Sequence, residues 1–139
     1  MYQKILIALD ATEADETILR HVSALARSFE SSVAIIHVAD GWAARLFGAD
    51  AVSREIVEDK AYLEAVRTRL TGEGLKVEAE LAYGDPADEI VKWVTNRGCD
   101  LVAMSTHGHR FISDLLYGST ADNVRHRVDV PVLLLKARK

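Results

Sequence analysis

Three short, almost unbroken apolar runs limit what this chain can become: Ile5-Leu6-Ile7-Ala8-Leu9, Val33-Ala34-Ile35-Ile36-His37-Val38 and Leu101-Val102-Ala103-Met104. A strand with one wet face alternates polar and apolar residues; runs without alternation suit strands covered on both faces. Such strands need helices above and below them, and the intervening sequence offers those helices. Ile18, Val22, Leu25 and Phe29 recur at helical spacing, as do Val52, Ile56, Leu63, Val66 and Leu70, then Ile90, Val91 and Val94, then Ala121, Val124 and Val128. A last apolar run, Val132 to Leu135, follows Pro131. Strand and helix patterns that alternate in this way predict right-handed crossovers and a parallel sheet with helices on both faces.

The punctuation agrees. Thr12 with Asp15 three residues on reads as a helix start similar to a capping box. Ser31-Ser32 breaks the first helix, Gly72 and Gly74 end the second, and Gly98 ends the third. Asp85 precedes Pro86, a helix cap followed by proline at the first helical position, with Asp88 and Glu89 in the first turn. Between these, Lys76 to Ala82 alternates polar and apolar, as an edge strand does. An edge there, with buried strands near Ile5 and Leu101, predicts the order 3-2-1-4-5 in a single-domain, three-layer Rossmann-like α/β sandwich spanning residues 1–139. The strand order reverses between the first and fourth strands, and ligands bind such sheets beyond the carboxyl ends at that reversal. Asp10 follows one of these strands and His107-Gly108 the other.

The second of those loops carries a phosphate signal. Gly108, nine further residues and then Gly118-Ser119-Thr120 would let main-chain N–H groups approach an anion, with the second glycine opening a helix whose N-terminus favours negative charge. A net charge of −4 argues against a broad nucleic-acid surface. The lone Cys99 fits a reducing compartment, and no stretch is apolar enough to signal secretion or span a bilayer. A soluble, cytoplasmic domain is the expectation.

Taken together, KILIALDATEAD, AIIHVAD, GDPADEIV and DLVAMSTHG…LLYGSTADNVRHRVDVPVLLLK resemble the universal stress protein family, in its nucleotide-binding branch, over essentially the whole chain. The family signature is Gly, two residues, Gly, nine residues and Gly-Ser or Gly-Thr. Here Ser105 stands at the first glycine, Gly108 at the second and Gly118-Ser119 at the third. The resemblance implies ATP, or AMP or another adenine nucleotide, bound at the switch point of a homodimeric regulatory or stress-response module whose nucleotide state modulates partner contacts. It implies that Ala8 and Asp10 lie beside the nucleoside, with Asp10 accepting a ribose hydroxyl. It also implies that Val38 offers main-chain groups to the adenine edge, that Met104 contacts the nucleoside, and that Ser105 lies under the ribose and phosphates. Gly108, Gly118, Ser119 and Thr120 would donate to phosphate oxygens. Arg110 is close enough in sequence to reach a triphosphate, its alternative being a solvated loop side chain. Ser105 adds a side chain where the family pattern has none. It either crowds the phosphates or is harmless in ordinary strand geometry.

Other chemistries fit less well. His107, His109 and His37 lack the cysteine or carboxylate cluster of a protein-held metal site, so Mg²⁺ is expected only with the triphosphate and held mainly by its oxygens. No Ser-His-Asp ordering, paired carboxylates or Lys-bearing P-loop appears, which leaves at most a slow ATPase without an evident base. A phosphorelay receiver needs an acidic pair after its first strand and an aspartate ending its third. Here Ala11 follows Asp10, and the third strand ends Leu81-Ala82-Tyr83. Trp42, Leu46 and Phe47 read as packing a long loop onto the domain, with a lid or partner surface as the alternative. Together with Ser105 they motivate a second reading, a dimeric interaction protein with a vestigial nucleotide site and an unidentified protein partner. In either reading Val132, Leu133, Leu134 and Leu135 form an apolar edge strand that needs covering, which predicts a homodimer through the fifth strands.

Overall fold

The computed structural model describes residues 1–39, 49–106 and 114–137, with 49–53 and 114–119 described by their helical backbone alone. In chain order the elements are β1 (Lys4–Leu9), α1 (Asp15–Phe29), β2 (Ser32–Ala39), α2 (Ala49–Gly72), β3 (Val77–Tyr83), α3 (Pro86–Arg97), β4 (Leu101–Thr106), α4 (Asp114–Arg127) and β5 (Val132–Lys136). The strands form one parallel sheet of order β3-β2-β1-β4-β5, as the edge pattern at β3 predicts. The conspicuous Trp42, Leu46 and Phe47 lie outside the described residues.

Strand alternation sends successive side chains to opposite faces, and each face has its own core. Ile5, Ile7 and Leu9 of β1 meet Ile18, Leu19 and Val22 of α1 and Leu63, Val66 and Leu70 of α2. Leu6 faces the other way, toward Ala87, Ile90, Trp93 and Val94 of α3 and Ala121 and Val124 of α4. The unbroken apolar runs of β1, β2 and β4 follow from this double coverage. Trp93, which the Ile90–Val94 spacing alone does not single out, joins the second core and carries Arg97 above its ring at 4.5 Å. Phe29 closes the α1 stripe only loosely, half in solvent, with its ring edge-on to Tyr2 at 5.6 Å.

The start of α3 is built as the sequence predicts: Asp85 accepts the Asp88 N–H at 3.0 Å, and Pro86 opens the helix. Its end is Gly98, left-handed at φ 64, whose N–H reaches the Val94 carbonyl. The start of α1 keeps part of the capping-box pattern and departs from it in part. Ala14 stands at the cap position without a side-chain cap; one turn earlier the Thr12 hydroxyl accepts the Ala14 N–H, and the Asp15 side chain reaches back to Thr12 and beyond it to Asp10 and Ala11. The cause is the loop itself, which turns left-handed at Ala11 and brings its N–H groups round to Asp15.

The sheet's two edges differ. Glu78 of β3 pairs with Lys4 and, at 3.6 Å, with Arg97, so charge sits on that edge. On β5, Leu134 is 41% exposed, and Val132, Leu133 and Leu135 are only half-buried.

Candidate functional site

The order reversal falls between β1 and β4, where Ala8 is registered opposite Met104. On the other side of β1, Leu9 is registered with His37, so Val38 stands at the level of Asp10. Ala8, Val38 and Met104 all pack on the α3–α4 core, which puts them on one face of the sheet at its carboxyl end. A methyl group beside two larger apolar side chains makes this an apolar seat at the carboxyl end of the sheet.

Ser105 turns the other way. It continues the row of Leu101 and Ala103, which pack toward α1 and α2, and it is 8% exposed. Among the described residues the non-glycine positions with positive φ are Ala11 and Glu30, so Ser105 has ordinary strand geometry. Its added atoms therefore point away from the Ala8–Val38–Met104 face. Its Oγ is buried without a hydrogen-bond partner, a state that costs about 1–3 kcal/mol.

Among the described residues, the loop after β1 is the most tightly determined part of the site. Ala11 lies at φ 60, a left-handed conformation that costs a non-glycine residue about 1–2 kcal/mol. Asp15, 1% exposed, opposes that cost. Its Oδ1 accepts the Asp10 N–H at 2.8 Å, and its Oδ2 accepts the Ala11 N–H at 2.9 Å and the Tyr62 O–H at 2.7 Å. Burial pushes the Asp15 carboxyl above its ordinary value, outweighing the hydrogen bonds from Asp10, Tyr62, Ala11 and Thr12 that favour the ion. Burial and then the Asp15 carboxylate raise the Tyr62 hydroxyl. Asp10 itself is half-buried and engaged with neighbours.

A second tie joins the strand ends to α2. The Leu9 carbonyl can only accept, so His37 Nδ1, 2.8 Å away, carries a proton. His37 Nε2 lies 3.3 Å from Asp59 Oδ2, close enough for an ion pair when protonated but not aligned as a hydrogen bond.

Across the reversal, α4 begins at Asp114, so Gly118 and Ser119 lie within its backbone. This corrects the expectation that Gly118 opens the helix: Leu115 and Leu116 are good helix formers, and a helix tolerates an internal glycine for about 1 kcal/mol. Thr120 is half-buried and engaged by its surroundings. Gly108 and Arg110, with His107 and His109, lie outside the described residues. Among the described residues no cluster of His, Cys, Asp and Glu could hold a metal ion. A groove of about 540 Å³ between β3 and α3, lined by Glu80, Tyr83, Lys92 and Trp93 among others, lies at the sheet edge away from the reversal.

Sequence reasoning misses Asp15, Tyr62 and the His37–Asp59 pair as parts of the site. Tyr62 neighbours Leu63 on the buried stripe of α2, and an acid at the start of α1 facing that stripe is the available signal.

Residues 1–136 match the family model described as the universal stress protein family. The universal stress protein MJ0577 of Methanocaldococcus jannaschii is 29% identical, over 99% of this chain and 97% of its own length. The solved structure of MJ0577, then called a hypothetical protein, superposes with a TM-score of 0.82 at 31% identity, covering 100% of this chain and 99% of that one. A universal stress protein solved in complex with cAMP shares the fold at a TM-score of 0.72 and 20% identity, covering 99% and 98% of the two chains. One from Archaeoglobus fulgidus in complex with dAMP does so at 0.71 and 23%, covering 97% and 98%.

Proposed function

Because the chain belongs to the universal stress protein family, we propose that it binds an adenine nucleotide, ATP foremost, across the carboxyl ends of β1 and β4. The observation that carries this reading is the apolar seat of Ala8, Val38 and Met104 at the reversal of strand order, with the pinned Asp10 loop at its rim. Adenine would lie on that seat against the Val38 main chain, and Asp10 would accept a ribose hydroxyl. The phosphates would run toward Ser105, Gly108, Gly118, Ser119 and Thr120, with Arg110 in reach. Ser105 is no obstacle on that face, since its side chain turns toward the opposite core. Two distantly similar proteins, solved with cAMP and dAMP, support an adenine nucleotide as the ligand class. Mg²⁺ would arrive with the triphosphate, since it keeps several waters and takes phosphate oxygens.

The role that follows is regulatory rather than catalytic: a cytoplasmic homodimer whose nucleotide state changes its contacts with a protein partner. The half-exposed Val132, Leu133, Leu134 and Leu135 on the β5 edge support the dimer. Among the described residues no helix is long and apolar enough to cross a membrane. Native mass spectrometry of the protein as purified tests both parts. A dimer mass carrying an adenine nucleotide is expected. A bare protein that also gains no thermal protection from added ATP–Mg²⁺ would overturn the nucleotide reading and favour an interaction module with a vestigial site.

A further inference from the structure

Asp15 plays no part in any nucleotide contact described above, yet among the described residues it is the most buried charged one near the site. It takes the N–H groups of two successive residues, Asp10 and Ala11, on its two oxygens. Such a fork fixes the direction of the peptide plane between them, and with it the direction in which the Asp10 side chain leaves the loop. The left-handed Ala11 shows that the loop is held rather than relaxed, because an alanine adopts that conformation only where its surroundings demand it. The third bond, from Tyr62 on α2, fixes the clamp in turn, since it joins the carboxylate to a helix packed on the sheet.

We propose that Asp15 is a positioning residue for ribose recognition, aiming the Asp10 carboxylate through the Asp10 and Ala11 amides and latched to α2 by Tyr62. This rests on the nucleotide reading for its ligand, though not for its geometry. The Asp10 carboxylate can accept from a ribose hydroxyl only when held at hydrogen-bond distance and angle, so a loop free to swing would keep the base contacts and lose the sugar contact. Burying a carboxylate at this point is otherwise unfavourable, and a capping role for α1 alone does not account for it, because the side chain takes the N–H groups of Asp10 and Ala11, ahead of any cap position, and the Tyr62 hydroxyl.

The experiment compares ATP with 2′,3′-dideoxy-ATP, which lacks both ribose hydroxyls, in titrations of wild type and Asp15→Asn. Asparagine keeps the size but offers one acceptor oxygen, and its amide group faces a donor it cannot satisfy. Wild type is expected to prefer ATP by about tenfold or more. In Asp15→Asn that preference falls to about threefold or less, while affinity for the dideoxy nucleotide changes little. A buried-core control, Val66→Ala, loses thermal stability and keeps the preference. Full preference retained by folded Asp15→Asn would overturn the proposal. Should that variant not fold, Tyr62→Phe, which removes the latch alone, carries the test: at least a twofold fall in preference supports the proposal, and no change overturns it.

Amide hydrogen exchange keeps this outcome separate from the nucleotide reading. The Asp10 and Ala11 amides are expected to be protected without ligand in wild type, and to exchange about tenfold faster or more in Asp15→Asn. Protection with no binding of either nucleotide would refute the nucleotide reading and leave the clamp standing. Equal exchange in the two proteins would refute the clamp.

Discussion

The two walls of the site are built on opposite plans. At the end of β1 a strained loop is pinned by a buried carboxylate, a tyrosine from α2 and, one residue before the loop, a histidine on the Leu9 carbonyl. At the end of β4 the strand runs straight on through Met104 and Ser105, paired with Leu134 and Leu135 of β5. Among the described residues, one wall is specified by polar contacts between elements, the other mainly by ladder pairing with β5. The difference teaches where sensitivity should lie. Changes on the β1 wall should alter which ligand is recognised, whereas changes on the β4 wall should alter stability and assembly.

The sharpest break in that contrast would come from Asp10→Ala. Loss of a charge-assisted bond to a ribose hydroxyl should weaken ATP about ten- to a hundredfold, by roughly 1.5–3 kcal/mol, with little change in melting temperature. Calorimetric titration beside thermal melting checks both parts. An equally tight complex would mean that the β1 wall does not read the sugar.

The next largest effect belongs behind the β4 wall. Leu134→Glu places a charge in the middle of the apolar β5 edge, where Leu134 is 41% exposed. Light scattering should then report a single chain where wild type reports two, and ATP affinity should follow only as far as the dimer supports the site. Wild type already at monomer mass would remove the interface from the account.

A pH series sharpens the β1 side. Asp15 has its folded value raised above the ordinary 3.8 by burial. Below 3.8 the carboxyl is protonated folded or unfolded, and its burial is uncharged. As pH rises, the unfolded chain releases the proton first, so wild type loses stability relative to Asp15→Asn until the raised value is passed, and the difference then levels. Urea midpoints of the two proteins across that range test the sign. A difference that moves the opposite way would mean that the hydrogen bonds to the carboxylate outweigh burial.

The smallest effect is expected at Ser105. Ser105→Ala removes a buried hydroxyl without a partner and should stabilise the protein by about 1 kcal/mol, leaving ATP affinity within about twofold. A clear loss of affinity would put Ser105 on the ligand face after all.

The same contrast governs how much of the molecule is legible in its sequence. The runs at Ile5, Val33 and Leu101 announce buried parallel strands because double coverage leaves no position for polar residues. Asp85-Pro86 marks the start of α3 because capping is local chemistry. The seat of Ala8, Val38 and Met104 follows from family resemblance, and the register brings these residues to one face. Asp15 reads as the acid of a capping box, and its bonds to Asp10 and Ala11 are missed because they depend on a left-handed alanine that no propensity predicts. Tyr62 is invisible for a different reason: 47 residues separate it from Asp15, and only the packing of α2 on α1 and the sheet joins them. The start of α4 comes earlier than Gly118 suggests, because helix interiors accept one glycine when neighbours favour the helix. The direction of Ser105 is legible in principle, since the row Leu101, Ala103, Ser105 alternates with Val102 and Met104.

Occupancy of the strand-order reversal by a nucleotide is the claim on which both walls depend. Isothermal titration of the purified protein with ATP–Mg²⁺ measures it most directly. Saturable heat is predicted, with one nucleotide per chain and strong weakening in Asp10→Ala. A flat titration of nucleotide-free wild type, with no shift in melting temperature, would contradict it.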